Sequence, residues 1–99
     1  MNQQIFINLP VTDLDRSIAF YEALGATKNP QFSDHTAACM VLSETIYVML
    51  LTHTKWATFG DVPILDAHTG AQVFLCLTRP DKAAVDAVVD QAAAAGGQA

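Results

Sequence analysis

A unit made of an apolar strand, a capping motif and an amphipathic helix occurs twice in this sequence of 99 residues. In the first copy, residues 4–9 are rich in β-forming residues, and the helix that follows has apolar residues at helical spacing up to Gly25. In the second copy, residues 71–77 are the strand, and Gly96 follows the helix. A shift of 66 positions superposes the two copies. A pattern that occurs twice in the same order predicts an internal repeat.

Each predicted helix begins at a capping box, in which a threonine side chain accepts a hydrogen bond from the first helical turn. Thr12 with Asp15 forms this motif in the first copy, and Thr78 with Asp81 forms it in the second. We therefore expect Thr12 and Thr78 to be the N-caps of the two helices.

Three further strands are predicted between the two units. They cover residues 27–32, 36–42 and 46–52, and the short spacing between the last two is typical of a hairpin. Residues 53–70 have no sustained periodicity and are predicted to form a loop of the length that usually has a function, such as a lid.

The first strand is predicted to have two different faces. Ile5, Ile7 and Leu9 alternate on the side that packs against the helix, and Phe6 and Asn8 lie on the opposite side. The second strand repeats this division, with the helix-facing set Val73, Leu75 and Leu77 and the opposite set Gln72, Phe74 and Cys76. The opposite sides are expected to face a space that the sheet encloses.

Composition excludes several classes of partner. The net charge is −5 with only five Lys and Arg, which predicts no nucleic-acid partner and no anionic membrane surface. The apolar runs are too short to span a bilayer, and residues 1–10 do not have the pattern of a signal peptide. We therefore expect a cytoplasmic protein whose cysteines, Cys39 and Cys76, are reduced core thiols.

Residues 9–21, with the sequence LPVTDLDRSIAFY, are followed by Leu24 and Gly25 and resemble the opening of a known superfamily. This is the glyoxalase / bleomycin resistance / extradiol dioxygenase superfamily, also called vicinal oxygen chelate. The resemblance implies an α+β fold of two βαβββ modules that form an open, curved sheet around a cleft, and a homodimer. Residues 1–70 would be the first module, with the long loop 53–70. Residues 71–99 would open a second, incomplete module of the same domain, whose remaining strands come from further chain or from another chain.

The resemblance also identifies positions at which metal-dependent members of the superfamily have their ligands. These positions hold Phe6, Leu50 (or Met49, within one residue of alignment) and Gln72. Phenylalanine and leucine have no nitrogen, oxygen or sulfur atom that binds a metal. We therefore expect no metal and no cofactor, with Phe6 and Leu50 lining an apolar pocket.

The predicted ligand-binding residues are Phe6, Asn8, Leu50, Trp56, Gln72 and Phe74. Asn8 and Gln72 would either orient a ligand through hydrogen bonds or bond to each other. Trp56 and Phe59 would either stack on a planar ligand or anchor the loop to the body of the domain.

Three functions are compatible with these features. The first is a metal-free protein that binds a small, partly apolar molecule in the cleft between the modules. The second is a metal-dependent enzyme similar to lactoylglutathione lyases or dioxygenases. The third is a non-catalytic accessory module that dimerises. No residue is identified as catalytic.

Overall fold

The computed structural model describes residues 3–60, 62–66, 68–71 and 73–97. Its elements are the strands β1 (Ile5–Val11), β2 (Thr27–Asn29), β3 (Ala37–Val41) and β4 (Ile46–Thr52) and the helices α1 (Leu14–Ala23), α2 (His53–Ala57) and α3 (Lys82–Ala94). A 3-10 turn, Pro30–Phe32, lies between β2 and β3. In the described parts, no helix has the length and apolar character needed to cross a membrane. The predicted α+β class is confirmed.

The four strands form one open, uncurled sheet in the order β1-β4-β3-β2. β1 runs parallel to β4, and the other two pairs are antiparallel. This is the βαβββ order that the sequence predicts. It places β1 and β2 at the two edges of the sheet.

One side of the sheet, which we call the core face, packs against α1. Its buried residues are Ala26, Ala38, Met40, Val48 and Leu50, and Ile7, Leu9, Val11, Leu14, Ile18, Tyr21 and Leu42 pack around them. Ile7 and Leu9 therefore lie on the helix-facing side of β1, as their alternation predicts. The same burial removes the phenol of Tyr21 from water and raises its pKa.

The N-cap of α1 is Asp13 and not Thr12. The Asp13 carboxylate accepts a hydrogen bond of 3.0 Å from the backbone N–H of Arg16. β1 continues through Pro10 to Val11, so Thr12 lies in the two-residue connection and the helix starts one position later than predicted. An edge strand tolerates Pro10, which has no backbone N–H.

The second predicted N-cap is also displaced. Asp81, and not Thr78, caps α3 and accepts a hydrogen bond of 2.8 Å from the backbone N–H of Ala84. Pro80 explains the shift, because a residue that precedes a proline avoids helical backbone angles. Arg79 therefore cannot serve as the first helical residue of a helix capped by Thr78.

The observed caps correct the alignment of the two units. Asp13 and Asp81 are 68 residues apart, whereas the predicted shift was 66. The new offset superposes the run Ile5, Phe6, Ile7, Asn8, Leu9 on the run Val73, Phe74, Leu75, Cys76, Leu77. By this offset of the caps, Phe74 aligns with Phe6, whereas Gln72, which the 66-residue shift placed there, lies outside the described residues.

Both long helices end at the predicted glycines. Gly25 follows α1 with φ of 97°, and Gly96 follows α3 with φ of 103°. This left-handed backbone is strained for residues with a side chain and is normal for glycine at the end of a helix.

Two predictions about the second half of the chain are wrong. Residues 73–77 form no strand, because within the described residues no neighbouring strand supplies backbone hydrogen-bond partners. Residues 53–57 are not loop but the short helix α2, whose N-cap Thr52 accepts a hydrogen bond of 3.1 Å from the N–H of Lys55.

Candidate functional site

The side of the sheet opposite α1, which we call the open face, carries an apolar and aromatic surface. Its residues are Phe6 and Asn8 from β1, Tyr47, Met49 and Leu51 from β4, and Ala37, Cys39 and Val41 from β3. Strand alternation places them there, because every second residue of each strand points away from α1. The pairings Phe6–Tyr47 and Asn8–Met49 bring β1 and β4 side chains next to each other.

At one end of the open face, Phe6 and Tyr47 form a stacked aromatic pair. Their ring centroids are 4.5 Å apart, and the ring planes are inclined by 7°. The Tyr47 hydroxyl donates a hydrogen bond of 3.0 Å to the backbone carbonyl of Glu44, and it lies 3.2 Å from the donating amide nitrogen of Gln4. These bonds fix the phenol ring, and Phe6 remains half exposed.

At the other end, α2 and the residues after it cover part of the open face. Trp56 and Phe59 stand next to Asn8 and Leu51, and these four side chains line a cavity of about 330 Å³, which we call the aromatic cavity. Trp56 is half-buried, whereas Phe59 is 69% exposed. Trp56 therefore attaches α2 to the sheet, and Phe59 leaves one wall of the cavity accessible.

Asn8 contributes the polar group of the aromatic cavity. Its Nδ2 donates one long hydrogen bond, 3.3 Å, to the backbone carbonyl of Phe6. Within the described residues, the Asn8 Oδ1 accepts no hydrogen bond. The predicted pairing of Asn8 with Gln72 stays untested, because Gln72 lies outside the described residues.

The structure brings together some of the predicted ligand-binding residues. Asn8 and Trp56 share the aromatic cavity, and Phe6 lies on the same face of the sheet. Phe74 is 89% exposed in the segment before α3, and it does not line the aromatic cavity.

The assignment of Leu50 to the ligand-binding surface is wrong. Leu50 is completely buried on the core face, opposite Ala38. The adjacent Met49, which the alignment allowed, lies on the open face. Neighbouring residues of a strand point to opposite faces of the sheet. An alignment that is uncertain by one residue therefore cannot decide whether the ligand position is on the core face, as Leu50 is, or on the open face, as Met49 is.

Tyr47 and Leu51 lie at the site and were not among the ligand-binding residues predicted from the sequence. Alternation along β4 could have identified them, since both lie an even number of positions from Met49. The close approach of α2 to this face could not be read from the sequence, because it depends on contacts between distant parts of the chain.

A second, larger cavity of about 640 Å³ lies on the helical side of the molecule. Arg16, Phe20 and Tyr21 of α1 line it together with His68 and the glycines after α3. It is an open groove between two helices, with charged walls. The aromatic cavity has the composition typical of small-molecule sites, in which apolar walls surround a few polar groups.

The thiols of this chain differ in their environment. Cys39 is on the open face of β3 and is buried, and this burial raises the pKa of its thiol. Cys76 is exposed, which corrects the prediction that it lies in the core. Both cysteines are free. A buried thiol with a raised pKa is a poor nucleophile, so Cys39 serves packing.

The positions at which the superfamily resemblance implies metal ligands do not fit a metal in this chain. Phe6 has no donor atom, and neither has Phe74, which the 68-residue offset of the two N-caps aligns with it. On β4, the open face presents Met49, Leu51 and a Tyr47 phenol that is already hydrogen-bonded. No group of three or more His, Cys, Asp or Glu side chains is placed to hold a metal ion in the parts of the chain that the structure describes.

Comparisons with known proteins agree with this fold. Residues 3–43, which include β1, α1, β2 and β3, match the family model described as bleomycin resistance protein-like N-terminal. No protein with a curated description matches the chain.

A solved structure described as hypothetical protein SA1046 from S. aureus is similar to nearly the whole chain. The TM-score is 0.71 with 28% sequence identity, over 97% of this chain and 72% of that chain. The similarity therefore extends beyond the matched N-terminal residues.

Proposed function

We propose that this chain, whose residues 3–43 match the bleomycin resistance protein-like N-terminal family model, binds a small, partly apolar molecule on the open face without a metal or another cofactor. The observation that carries the proposal is the aromatic cavity, which Trp56, Phe59 and Leu51 line together with the amide of Asn8. Apolar walls supply the free energy of binding, and a single polar group orients the ligand.

The stacked pair Phe6–Tyr47 extends this surface along the sheet. Phe6 is 50% exposed and Phe59 is 69% exposed, so two aromatic rings on this side are accessible to a ligand. Phe6 lies on a strand, and an exposed aromatic side chain on a rigid element is a favourable contact group because little conformational freedom is lost when a ligand covers it.

We propose binding without a metal because the side chains at the expected ligand positions have no nitrogen, oxygen or sulfur atom that could bind one. Phe6 stands where the superfamily resemblance implies a metal ligand and has no donor atom, and Phe74, which aligns with it by the offset of the N-caps, has none either. Elemental analysis of the purified protein tests this point. A divalent metal bound at one equivalent per chain would contradict it and favour the enzymatic alternative.

A screen of small aromatic fragments by protein-observed NMR tests the binding function. The chain contains one tryptophan, so Trp56 gives the single indole N–H signal of the protein. We expect ligands to shift this signal and to bind more weakly to Phe59→Ala. Phe32→Ala is the matched control, because Phe32 is similarly exposed, at 63%, and does not line the aromatic cavity. Equal weakening by both variants, or no ligand among the fragments, would contradict the proposal.

A second function, as a dimerising module, is favoured by residues 73–77. Val73, Phe74, Leu75 and Leu77 in this segment are all more than 40% exposed. A second copy of the chain in the cytoplasm would cover this apolar surface. Analytical sedimentation of the wild type and of Phe74→Lys tests this second function. A dimeric wild type and a monomeric variant would support the dimerising module, and a monomeric wild type would exclude it.

A further inference from the structure

The hydrogen-bonding capacity of Asn8 defines what the aromatic cavity recognises. A carboxamide presents an acceptor, Oδ1, and a donor group, Nδ2, side by side. Nδ2 uses one of its two hydrogens in the long bond to the Phe6 carbonyl, and Oδ1 accepts no bond within the described residues. Asn8 is exposed, so water hydrates the remaining acceptor and N–H donor, and a ligand that pairs with both groups replaces that water.

The complementary ligand edge is an amide in the cis arrangement. Its N–H donates to Oδ1 while its carbonyl accepts from Nδ2, so both hydrogen bonds form in one plane. Asparagine makes the same bidentate pairing with base edges that present an adjacent donor and acceptor. Lactams and primary carboxamides have this edge, and ethers, esters and N-alkylated amides lack it.

The walls of the cavity define the rest of the ligand. Trp56 and Phe59 are aromatic and Leu51 is aliphatic, so the four lining residues include no charged side chain. The Lys55 ammonium lies 5.6 Å from the centre of the Phe59 ring, which places a positive charge at the rim and disfavours cationic ligands. A volume of about 330 Å³ is at the lower end for small-molecule sites, a size that suits one or two fused rings.

We propose that the aromatic cavity selects a neutral, planar aromatic ring that carries a lactam or primary carboxamide edge, with Asn8 as the residue that determines specificity. This inference rests on the proposed binding function and adds the chemical class of the ligand. The ring packs against Trp56, and the amide edge pairs with the Asn8 carboxamide.

The test compares 2-quinolinone with N-methyl-2-quinolinone by isothermal titration calorimetry, together with the Trp56 indole N–H signal. The two probes have the same ring system, and the methyl group removes the N–H and blocks the edge. We expect 2-quinolinone to bind roughly tenfold more tightly, since about two neutral hydrogen bonds are lost with the N-methyl probe. In Asn8→Ala, the affinity for 2-quinolinone should fall to that for the N-methyl probe.

Two further variants separate recognition from folding. Asn8→Leu keeps the volume of the side chain and should abolish the preference in the same way as Asn8→Ala. Gln31→Ala removes an exposed carboxamide that does not line the cavity and should leave both affinities unchanged.

The outcomes distinguish this inference from the function on which it rests. Equal binding of both probes, with a shift of the Trp56 signal, would overturn the lactam edge and leave the binding function standing. A preference that survives in Asn8→Ala would overturn the role of Asn8. If neither probe binds, the ligand class is wrong, and the fragment screen then decides whether the binding function also fails.

Discussion

Phe6 and Tyr47 stack across the parallel pair of β1 and β4, with ring centroids 4.5 Å apart. The two rings connect the edge strand to its neighbour on the side of the sheet that α1 does not cover. The superfamily resemblance implies a metal ligand at the position of Phe6 in metal-dependent members. In this chain it supplies an aromatic contact.

The stacking of Phe6 on Tyr47 is expected to contribute to stability. A double-mutant cycle with Phe6→Leu and Tyr47→Leu should give a coupling free energy of about 0.5–1 kcal/mol, as found for aromatic cross-strand pairs. Chemical denaturation of the two single variants and the double variant measures it. Additive effects of the two substitutions would show that the rings do not interact.

Neighbouring residues of β4 should respond differently to truncation, because they face opposite sides of the sheet. Leu50→Ala creates a cavity in the core and should reduce the free energy of unfolding by about 2–5 kcal/mol. Met49→Ala, on the half-buried open face, should cost much less. The comparison by urea denaturation checks the strand register, and a larger loss for Met49→Ala would mean that the register is shifted by one residue.

The position of the first N-cap can be tested in the same way. Asp13→Ala removes the acceptor of the Arg16 N–H and should lower the free energy of unfolding by about 1 kcal/mol. Thr12→Ala should have a clearly smaller effect. If Thr12→Ala is the more damaging variant, the helix begins at the capping box that the sequence predicts.

The two cysteines should react with a thiol reagent such as DTNB at very different rates. Cys76 is exposed, whereas Cys39 is 1% exposed, and burial raises the pKa of its thiol and lowers its thiolate fraction. We expect one fast and one slow equivalent of labelling in the native protein. Cys76→Ser should remove the fast equivalent, and a fast phase that remains in this variant would place Cys39 at the surface.

Asp34 should make stability depend on pH in the acidic range. The hydroxyl of Thr36, first, and then its backbone N–H hydrogen-bond the Asp34 carboxylate and lower its pKa. A group with a lowered pKa in the folded state contributes stability above its unfolded pKa of about 3.9, and that contribution disappears as the pH falls through the folded-state pKa.

Asp34→Asn keeps the shape of the side chain and removes the charge. The wild type should therefore be more stable than Asp34→Asn near pH 7, and the two melting temperatures should converge as the pH falls below about 4. A difference that persists undiminished to pH 2 would exclude this carboxylate as its source.

Local patterns in the sequence predicted much of the fold. β4 has the predicted bounds, 46–52, and the alternation of Ile7 and Leu9 identified the core side of β1. Both signals are local, because they depend on residues a few positions apart. Phe6, Asn8 and Trp56 were also identified as candidates from the sequence, and the structure places these residues on one side of the sheet.

The errors concern features that depend on distant contacts or on one-residue precision. Residues 73–77 have a strand-like sequence, but a strand forms only where a neighbour pairs with it. Leu50 was assigned to the wrong face because an alignment good to one residue cannot fix the side of a strand. α2 was missed because five residues with a threonine cap give little periodicity.

The exposed run from Val73 to Leu77, and not the edges of the sheet, is where this chain is vulnerable to aggregation. Pro10 interrupts the backbone donors of β1, and β2 has only three residues, so both edges are poor templates for another strand. The exposed run from Val73 to Leu77 has no such protection: it combines strong β-propensity with an absence of charge. A charged gatekeeper in that segment would protect the protein at high concentration without touching the sheet.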